Sequence, residues 1–424
     1  MVELSKFAEE ILVEILSRLP PKSLVRFKCV RRSWNGLINN PNFAAKHISS
    51  SKRTALSSSS TTLILRRFLT ADVNPNEMEM VLSLFNFDND FDGFFLEDFH
   101  FPYSLGVGCR GEINPAGSTV NISCYCDGVI CLDDVGERSN IILCNPAIKE
   151  LRLLPEPQIS SPKYPGSPTA AVGFGYDLRT KNYKVVRLVH TGWQYCDEQD
   201  MDMPYLKAEV FDLLTNRWKE IKIDGLLKEN TIVLPENRGL YFKGFIYWCA
   251  MEHEKVLETT CNGDDEQKVI EYYARMIAFD IGKEKFHVMK INPGLYDDCC
   301  LMGGVLGLWK ESIALCVRGW TTLDIWVMDD FGDGKGSWTK YLALEPVVKI
   351  TSQFALFGKG DDQFVLVACD RSELIFYDIF TNKFLYLPLN GVLLQYTQVV
   401  EYVGSIVSVN EGNKLDVGTV WDCD

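Results

Sequence analysis

VFDLLTNRWKEI, Val210–Ile221, reads as one β-hairpin. Apolar residues lead up to Asp212, Leu-Leu-Thr-Asn makes the turn, and Trp218 opens a second strand. An aspartate suits the end of the first strand because its short carboxylate accepts hydrogen bonds from the turn backbone, and Thr-Asn suits the turn itself. The phrase recurs as LCNPAIKELRLL from Leu143, GYDLRTKNYKVVRL from Gly175, AFDIGKEKFHVMKI from Ala278, WVMDDFGDGKGSWTKYL from Trp326 and FYDIFTNKFLYLPL from Phe376. An aromatic follows each of the last five turns (Tyr183, Trp218, Phe286, Trp338, Phe384) and is expected to pack in the sheet. Asp280, Asp329 and Asp378 stand 49 residues apart, about one four-stranded propeller blade.

Further strand pairs lie between these hairpins: DGVICL from Asp127, LYFKGFIYWCA from Leu240, LGLWKESIALCV from Leu306 and QFVLVACDRSEL from Gln363. TLILRRF, EMVLSLFNF and DGFFLEDFHF supply three more before Tyr103, and VVEYVGSIVSVN ends the series at Asn410. A ring of sheets closes its last blade with strands from both ends, since an open edge invites aggregation. The expectation is an α plus all-β chain, with a β-propeller of about six blades. A pair of β-sandwiches is the alternative, and the 49-residue register speaks against it.

Upstream, EEILVEILSRLPPKSLVRFKCVRRSW (Glu9–Trp34) is helical. Ile11, Leu12, Ile15, Leu16 and Leu19 form one apolar face at helical period. Pro20-Pro21 stops that helix and suits the start of a second over Ser23–Val30, with Leu24, Phe27 and Val30 in step. A third runs from Arg31 to Ile38 and carries Trp34, and Asn40-Pro41 opens a last short turn. Three helices this short cannot bury so many apolar side chains among themselves. The spare face docks either on the rest of the chain or on a partner. The expected organisation is a three-helix unit over 3–48, a Ser/Thr-rich flexible linker over 49–62, a propeller over 63–410 and a tail over 411–424.

Charge is uneven. Residues 1–53 hold ten Lys/Arg against four Asp/Glu, the remainder 33 against 53, and the chain of 424 residues nets −14. Such an acidic body repels phosphate and favours a basic protein partner, or serves solubility alone. No apolar run is long enough to span a membrane. Acids interrupt the N-terminus where a secretory leader needs apolar residues, so a cytoplasmic or nuclear protein is expected. The fourteen cysteines include no C-x-x-C pair, and Cys131, Cys144, Cys249, Cys316 and Cys369 stand in apolar strands as small hydrophobes. The five histidines lack metal-ligand spacing, and Cys124/Cys126 and Cys299/Cys300 lack nearby co-ligands. Gly106–Gly111 fits a dinucleotide fingerprint, but Ile113-Asn-Pro115 denies it the helix it needs. Asp88–Gly93 opens like a calcium loop but has Phe99 where a glutamate is required. No cofactor, metal or catalytic residue is expected.

Residues 4–47 resemble the F-box, and GFGYD, YKVVRL, AEVFDLLTNRWKEI, GFIYW and MIAFDI resemble the F-box-associated domain of plant F-box proteins. The arrangement, down to SIVSVN, is most similar to the S-locus F-box type. The resemblance implies a non-catalytic subunit that docks on the Skp-type adaptor of a cullin–RING ubiquitin ligase. It assigns Ile11, Ile15, Leu19, Pro20, Leu24, Phe27, Val30 and Trp34 in part to adaptor contact and in part to the helical core. One departure is Phe7-Ala8, where the family opens with Leu-Pro. The S-locus likeness implies a basic, secreted-type ribonuclease of a non-self haplotype as substrate in pollen; another plant regulator or immune receptor is the alternative. An enzyme or small-ligand-binding propeller is the alternative of another class. Substrates meet propeller loops, so the candidates are Ser160–Thr169, Thr191–Pro204 with Asp197, Glu198, Asp200 and Asp202, and Glu252–Gln267 with Glu258, Asp264, Asp265 and Glu266.

Overall fold

A computed structural model describes residues 2–58, 60–70, 78–88, 94–101, 120–134, 140–159, 171–191, 205–223, 227, 231–233, 238–259, 266–291, 304–318, 322–329, 336–344, 354–359, 363–370, 373–378, 383–390 and 397–410. Four helices come first: α1 (Val2–Leu16), α2 (Pro21–Phe27), α3 (Arg32–Ile38) and α4 (Pro41–Ser57). The first helix ends at Leu16, short of Leu19, because the N–H groups of Arg18 and Leu19 reach back only three residues, to Ile15 and Leu16. That tightened turn delivers Pro20 and then Pro21, which opens α2 where a missing N–H costs nothing.

The last turn expected at Asn40-Pro41 is a helix of 17 residues, and the linker expected over 49–62 is helix as far as Ser57 and strand from Ser60. Asn40 caps it by accepting from the Asn42 N–H at 2.9 Å. Phe43, His47 and Ser50 are buried on one face. The Ser49 and Ser57 hydroxyls bond the Ala45 and Arg53 carbonyls within the helix, so residues that read as linker keep their hydrogen bonds in a helix. Leu16, Leu24, Ile38 and Phe43 form the core of the helical unit, with Ile406 from the C-terminal segment and Ile148 packed against it.

The strands form six antiparallel sheets among the described residues. The chain divides into two units. One holds the helices, the sheet of β1 (Ser60–Thr70), β2 (Met78–Asp88) and β3 (Phe94–His100), and the sheet of β4 (Val120–Cys126), β5 (Val129–Asp134), β6 (Ile141–Asn145) and β7 (Glu150–Leu153). The other holds the sheet of β8 (Ala171–Asp177), β9 (Asn182–Thr191), β10 (Tyr205–Asp212) and β11 (Arg217–Ile221), then the five strands β12 (Thr231–Val233), β13 (Leu240–Phe242), β14 (Phe245–Thr259), β15 (Glu266–Asp280) and β16 (Lys285–Lys290). Its last sheet is β17 (Val305–Trp309), β18 (Ser312–Arg318), β19 (Leu323–Met328) and β20 (Trp338–Leu344). β21 (Phe354–Lys359), β22 (Gln363–Asp370), β23 (Glu373–Asp378) and β24 (Lys383–Pro388) make the sixth sheet. These are the blades of a β-propeller.

Both termini build one sheet, as closure requires: β25 (Gln398–Glu401) pairs with β1, Leu63 opposite Glu401. Beyond it the chain to Asn410 is strapped over β6 and β7. The Asn145 amide donates to the Ser405 and Val407 carbonyls at 3.1 and 2.8 Å, and the Arg152 guanidinium donates to the Val409 carbonyl at 2.8 Å. Gly128 is left-handed at φ +82°, and a Cβ there would collide with Ser405. Between the first two sheets lies a core of Ile64, Phe68, Leu82, Ile122, Ile130 and Ile142, and Tyr402 joins it.

Four of the repeated hairpins, those whose turns are described, keep the expected chemistry. Asp177 accepts from the Arg179 and Thr180 N–H groups, Asp212 from Thr215, Asp280 from Lys283 and Asn145 from Ala147. Lys149, Lys181, Asn216 and Glu284 take positive φ of 53–56° at the close of their turns. The aromatic after the turn faces the residue before the aspartate: Tyr183 opposite Tyr176, Trp218 opposite Phe211, Phe286 opposite Phe279 and Phe384 opposite Tyr377. Their ring centroids are 4.4–5.1 Å apart. Trp218, Phe286 and Trp338 are buried, as expected. Phe384 is not. It is 42% exposed and stacks on Tyr377 across the strand and on Tyr386 along its own.

Candidate adaptor-docking face

The first four helices of the chain place two different apolar faces on the helical unit. The inner one is the core just described. Leu24 belongs to it, with no exposed surface; the residue that sequence assigned to the same face as Phe27 and Val30 holds the fold and cannot touch a partner. Leu19, Phe27 and Trp34 are half-buried. The Leu19 carbonyl accepts a hydrogen bond from His47 Nε2 at 3.0 Å, which ties α4 to the turn after α1. Phe27 and Trp34 pack with ring centroids 5.6 Å apart and carry α2 onto α3.

The outer face stays open. Ile11 and Ile15, one turn apart on α1, are 46% and 55% exposed, and Val30 is 63% exposed. Pro20 is also exposed. Val25, missed by the sequence reading, is exposed as well. It stands one residue past Leu24, and once Leu24 and Phe27 point inward, helical geometry turns Val25 outward. Four large aliphatic side chains left in water between Ile11 and Val30 make an uneconomical surface unless something covers it.

Charge around this face is sorted. Glu14, between Ile11 and Ile15, accepts from the Lys46 ammonium and the Arg18 guanidinium, each at 2.7 Å. Those two cations hold its carboxyl down at about 2, so it is ionised and fully engaged. Arg26, Arg31 and Arg32 are exposed and form no ion pair among the described residues, which leaves a basic margin beside Val25 and Val30. Burial pushes the His47 imidazole below its ordinary value, so it is neutral at pH 7 and acts as a structural donor. The departure at Phe7-Ala8 falls inside α1, whose backbone runs unbroken from Val2. With no proline there, nothing starts the helix later.

On the propeller, Asp197, Glu198, Asp200, Asp202, Asp264 and Asp265 lie outside the described residues, as do Ser160–Thr169. The loop expected over Glu252–Gln267 is corrected by the structure. Glu258 belongs to β14 and Glu266 to β15, paired in register as Glu258 with Gln267 and Thr259 with Glu266. These arms outrun β12, which stops opposite Glu252, and β16, which stops opposite Arg275. The polar composition there imitates a loop while the backbone still pairs.

Catalytic chemistry has little to stand on among the described residues. Burial pushes the Cys249 and Cys316 thiols up to about 12 and those of Cys126, Cys131 and Cys144 well above their ordinary value, which keeps them protonated and unreactive. No group of three His, Cys, Asp or Glu side chains able to hold a metal ion occurs among the described residues. No helix there is long and apolar enough to cross a membrane.

The helical unit and the sheets each match a family model. Residues 4–46 match the F-box domain, and residues 108–409 match the F-box associated beta propeller domain. The chain belongs to the F-box proteins that carry this propeller. The Arabidopsis thaliana F-box/kelch-repeat protein At3g23880 is 24% identical over 414 residues, covering 95% of each chain. F-box protein CPR1 of the same plant is 24% identical over 395 residues, 88% of this chain and 82% of that one. Among solved structures, a six-bladed fungal lectin from Aleuria aurantia covers 80% of this chain and 98% of its own at 9% identity, with a TM-score of 0.37. The F-box match spans α1 to α3 and ends inside α4.

Proposed function

We propose that this F-box protein is the substrate-recognition subunit of a Skp–cullin–F-box ubiquitin ligase, with no catalytic residue of its own. The observation that carries the reading is the pair of faces on the helical unit. The inner face is consumed by the chain's own core, and Ile11, Ile15, Val25 and Val30 are left outside it in the segment matched as F-box. An adaptor presenting an apolar groove with an acidic margin would cover the aliphatic patch and pair with Arg26, Arg31 and Arg32. Ion pairs at such a margin speed encounter and fix register more than they add affinity. The protein then acts by proximity: one end holds the ligase, the propeller holds the substrate, and substrate lysines gain effective concentration near the charged ubiquitin carrier.

A basic protein is the substrate class favoured by the 53 acids against 33 bases after residue 53. That balance is also the support for the narrower reading, a basic S-locus ribonuclease; another basic regulator fits it equally. The site of action proposed is the cytoplasm or nucleus, where such ligases work. Affinity purification of the tagged full chain from plant extract tests the reading. A Skp-type adaptor and a cullin are expected among the retained proteins at stoichiometric yield, and their absence from a folded preparation contradicts it.

A further inference from the structure

A cavity of about 260 Å³ opens beside the helical unit, away from the outer face of α1. Its wall is made by the Ser17–Pro21 turn, the end of α4, the start of β1 and the chain from Glu401 to Gly404. The volume is several times the roughly 30 Å³ that one water takes in the liquid, so it has room for a small organic molecule. Two kinds of surface line it: hydroxyls, among them Ser51, Thr54 and Thr61, and apolar side chains such as Leu19 and Leu56.

Among these stands one carboxylate, Glu401, which makes no hydrogen bond or ion pair to a described residue although it is water-accessible. The nearest cation in the wall, Arg18, is already spent on Glu14 through both Nε and Nη2. We propose that this cavity binds a small organic cation, an alkyl amine or diamine, whose ammonium pairs with Glu401 while its chain lies among the hydroxyls and apolar side chains. An anion is excluded by the sign of Glu401. A metal ion is disfavoured because a single carboxylate supplies too few strong ligands. Desolvation by the neighbouring protein raises the Glu401 carboxyl to about 7, so the ion pair forms above that pH. The site shares Pro20 with the edge of the outer face but includes none of Ile11, Ile15, Val25 and Val30, so diamine binding is read separately from adaptor binding.

Titration calorimetry on the full chain, at pH 8 and 0.15 M salt, tests this with 1,4-diaminobutane as probe and 1,4-butanediol as its uncharged match. Saturable one-to-one binding of the diamine is expected, weakened at least tenfold in Glu401→Gln, with no binding of the diol. Absence of saturable diamine binding, equal affinity in Glu401→Gln, or equal affinity for the diol each overturns the proposal. Should Glu401→Gln fold poorly, Ala55→Leu fills the cavity from the exposed side of α4. Undiminished diamine binding in that variant overturns the site.

Discussion

Leu24 and Ile15 show how residues of one composition part company. Leu24→Ala leaves a hole in a closed core and is expected to cost about 2–5 kcal/mol, read by chemical denaturation. Ile15→Ala removes an exposed side chain and is expected to stay within about 0.5 kcal/mol. Equal losses in the two would contradict the separation of inner and outer faces. His47 sets a pH dependence at the same scale. Burial depresses its folded value, so as pH falls the unfolded chain takes up the proton first, near the ordinary histidine value of about 6.5. Its stabilisation is full above that value and fades as pH drops through it. His190, lowered by burial to about 4, adds a contribution of the same sign. The raised Glu401 carboxyl works in the opposite sense over the same range, so the test is the difference between proteins: from pH 7.5 to 5.5 the native chain is expected to lose more unfolding free energy, or gain less, than His47→Gln, and identical slopes in the two would sink the assignment.

At the scale of elements, the hairpins were legible in sequence because their chemistry is local: an aspartate, a turn, an aromatic. What separates one hairpin from another is not local. Asp177 and Lys184 form a buried pair at 3.0 Å, and Lys184 also meets Glu284 at 2.9 Å, whereas Asp212 serves only its own turn. Asp177→Ala leaves Lys184 with Glu284 and the Ile281 carbonyl but removes one of its two carboxylates and the acceptor of the turn N–H groups, and is expected to cost about 2–3 kcal/mol. Asp212→Ala should cost about 1 kcal/mol; the reverse order in denaturation curves would refute this ranking. Two elements were misread for the same physical reason. The serines after Ser49 and the acids after Glu252 have loop composition, but the elements they belong to are fixed elsewhere, by Phe43 and His47 in one and by the paired strand in the other. Composition reports the solvent a residue meets, and the backbone partner is invisible to it.

For the whole molecule, closure by both termini is the feature sequence foretold best, since a propeller with an unpaired edge is unstable in isolation. The strap adds what sequence did not show: it supplies Ile406 to the helical core and Tyr402 to the core between the first two sheets. Asn145 holds it by two carbonyls, so Asn145→Ala is expected to cost about 1–3 kcal/mol for each buried group left unpaired. It should loosen the helices together with the first sheets; hydrogen exchange confined to one of the two would contradict that coupling. The adaptor site itself was half legible. Helical spacing located the apolar residues, but only the fold tells Val25 and Ile15 from Leu24.

The most direct test of the account is the affinity of the full chain for a Skp-type adaptor, measured beside its melting temperature, for the native sequence and for Ile11→Asp with Ile15→Asp. At least a hundredfold loss of affinity is expected, with the melting temperature unchanged. Native affinity in the folded double variant would contradict it.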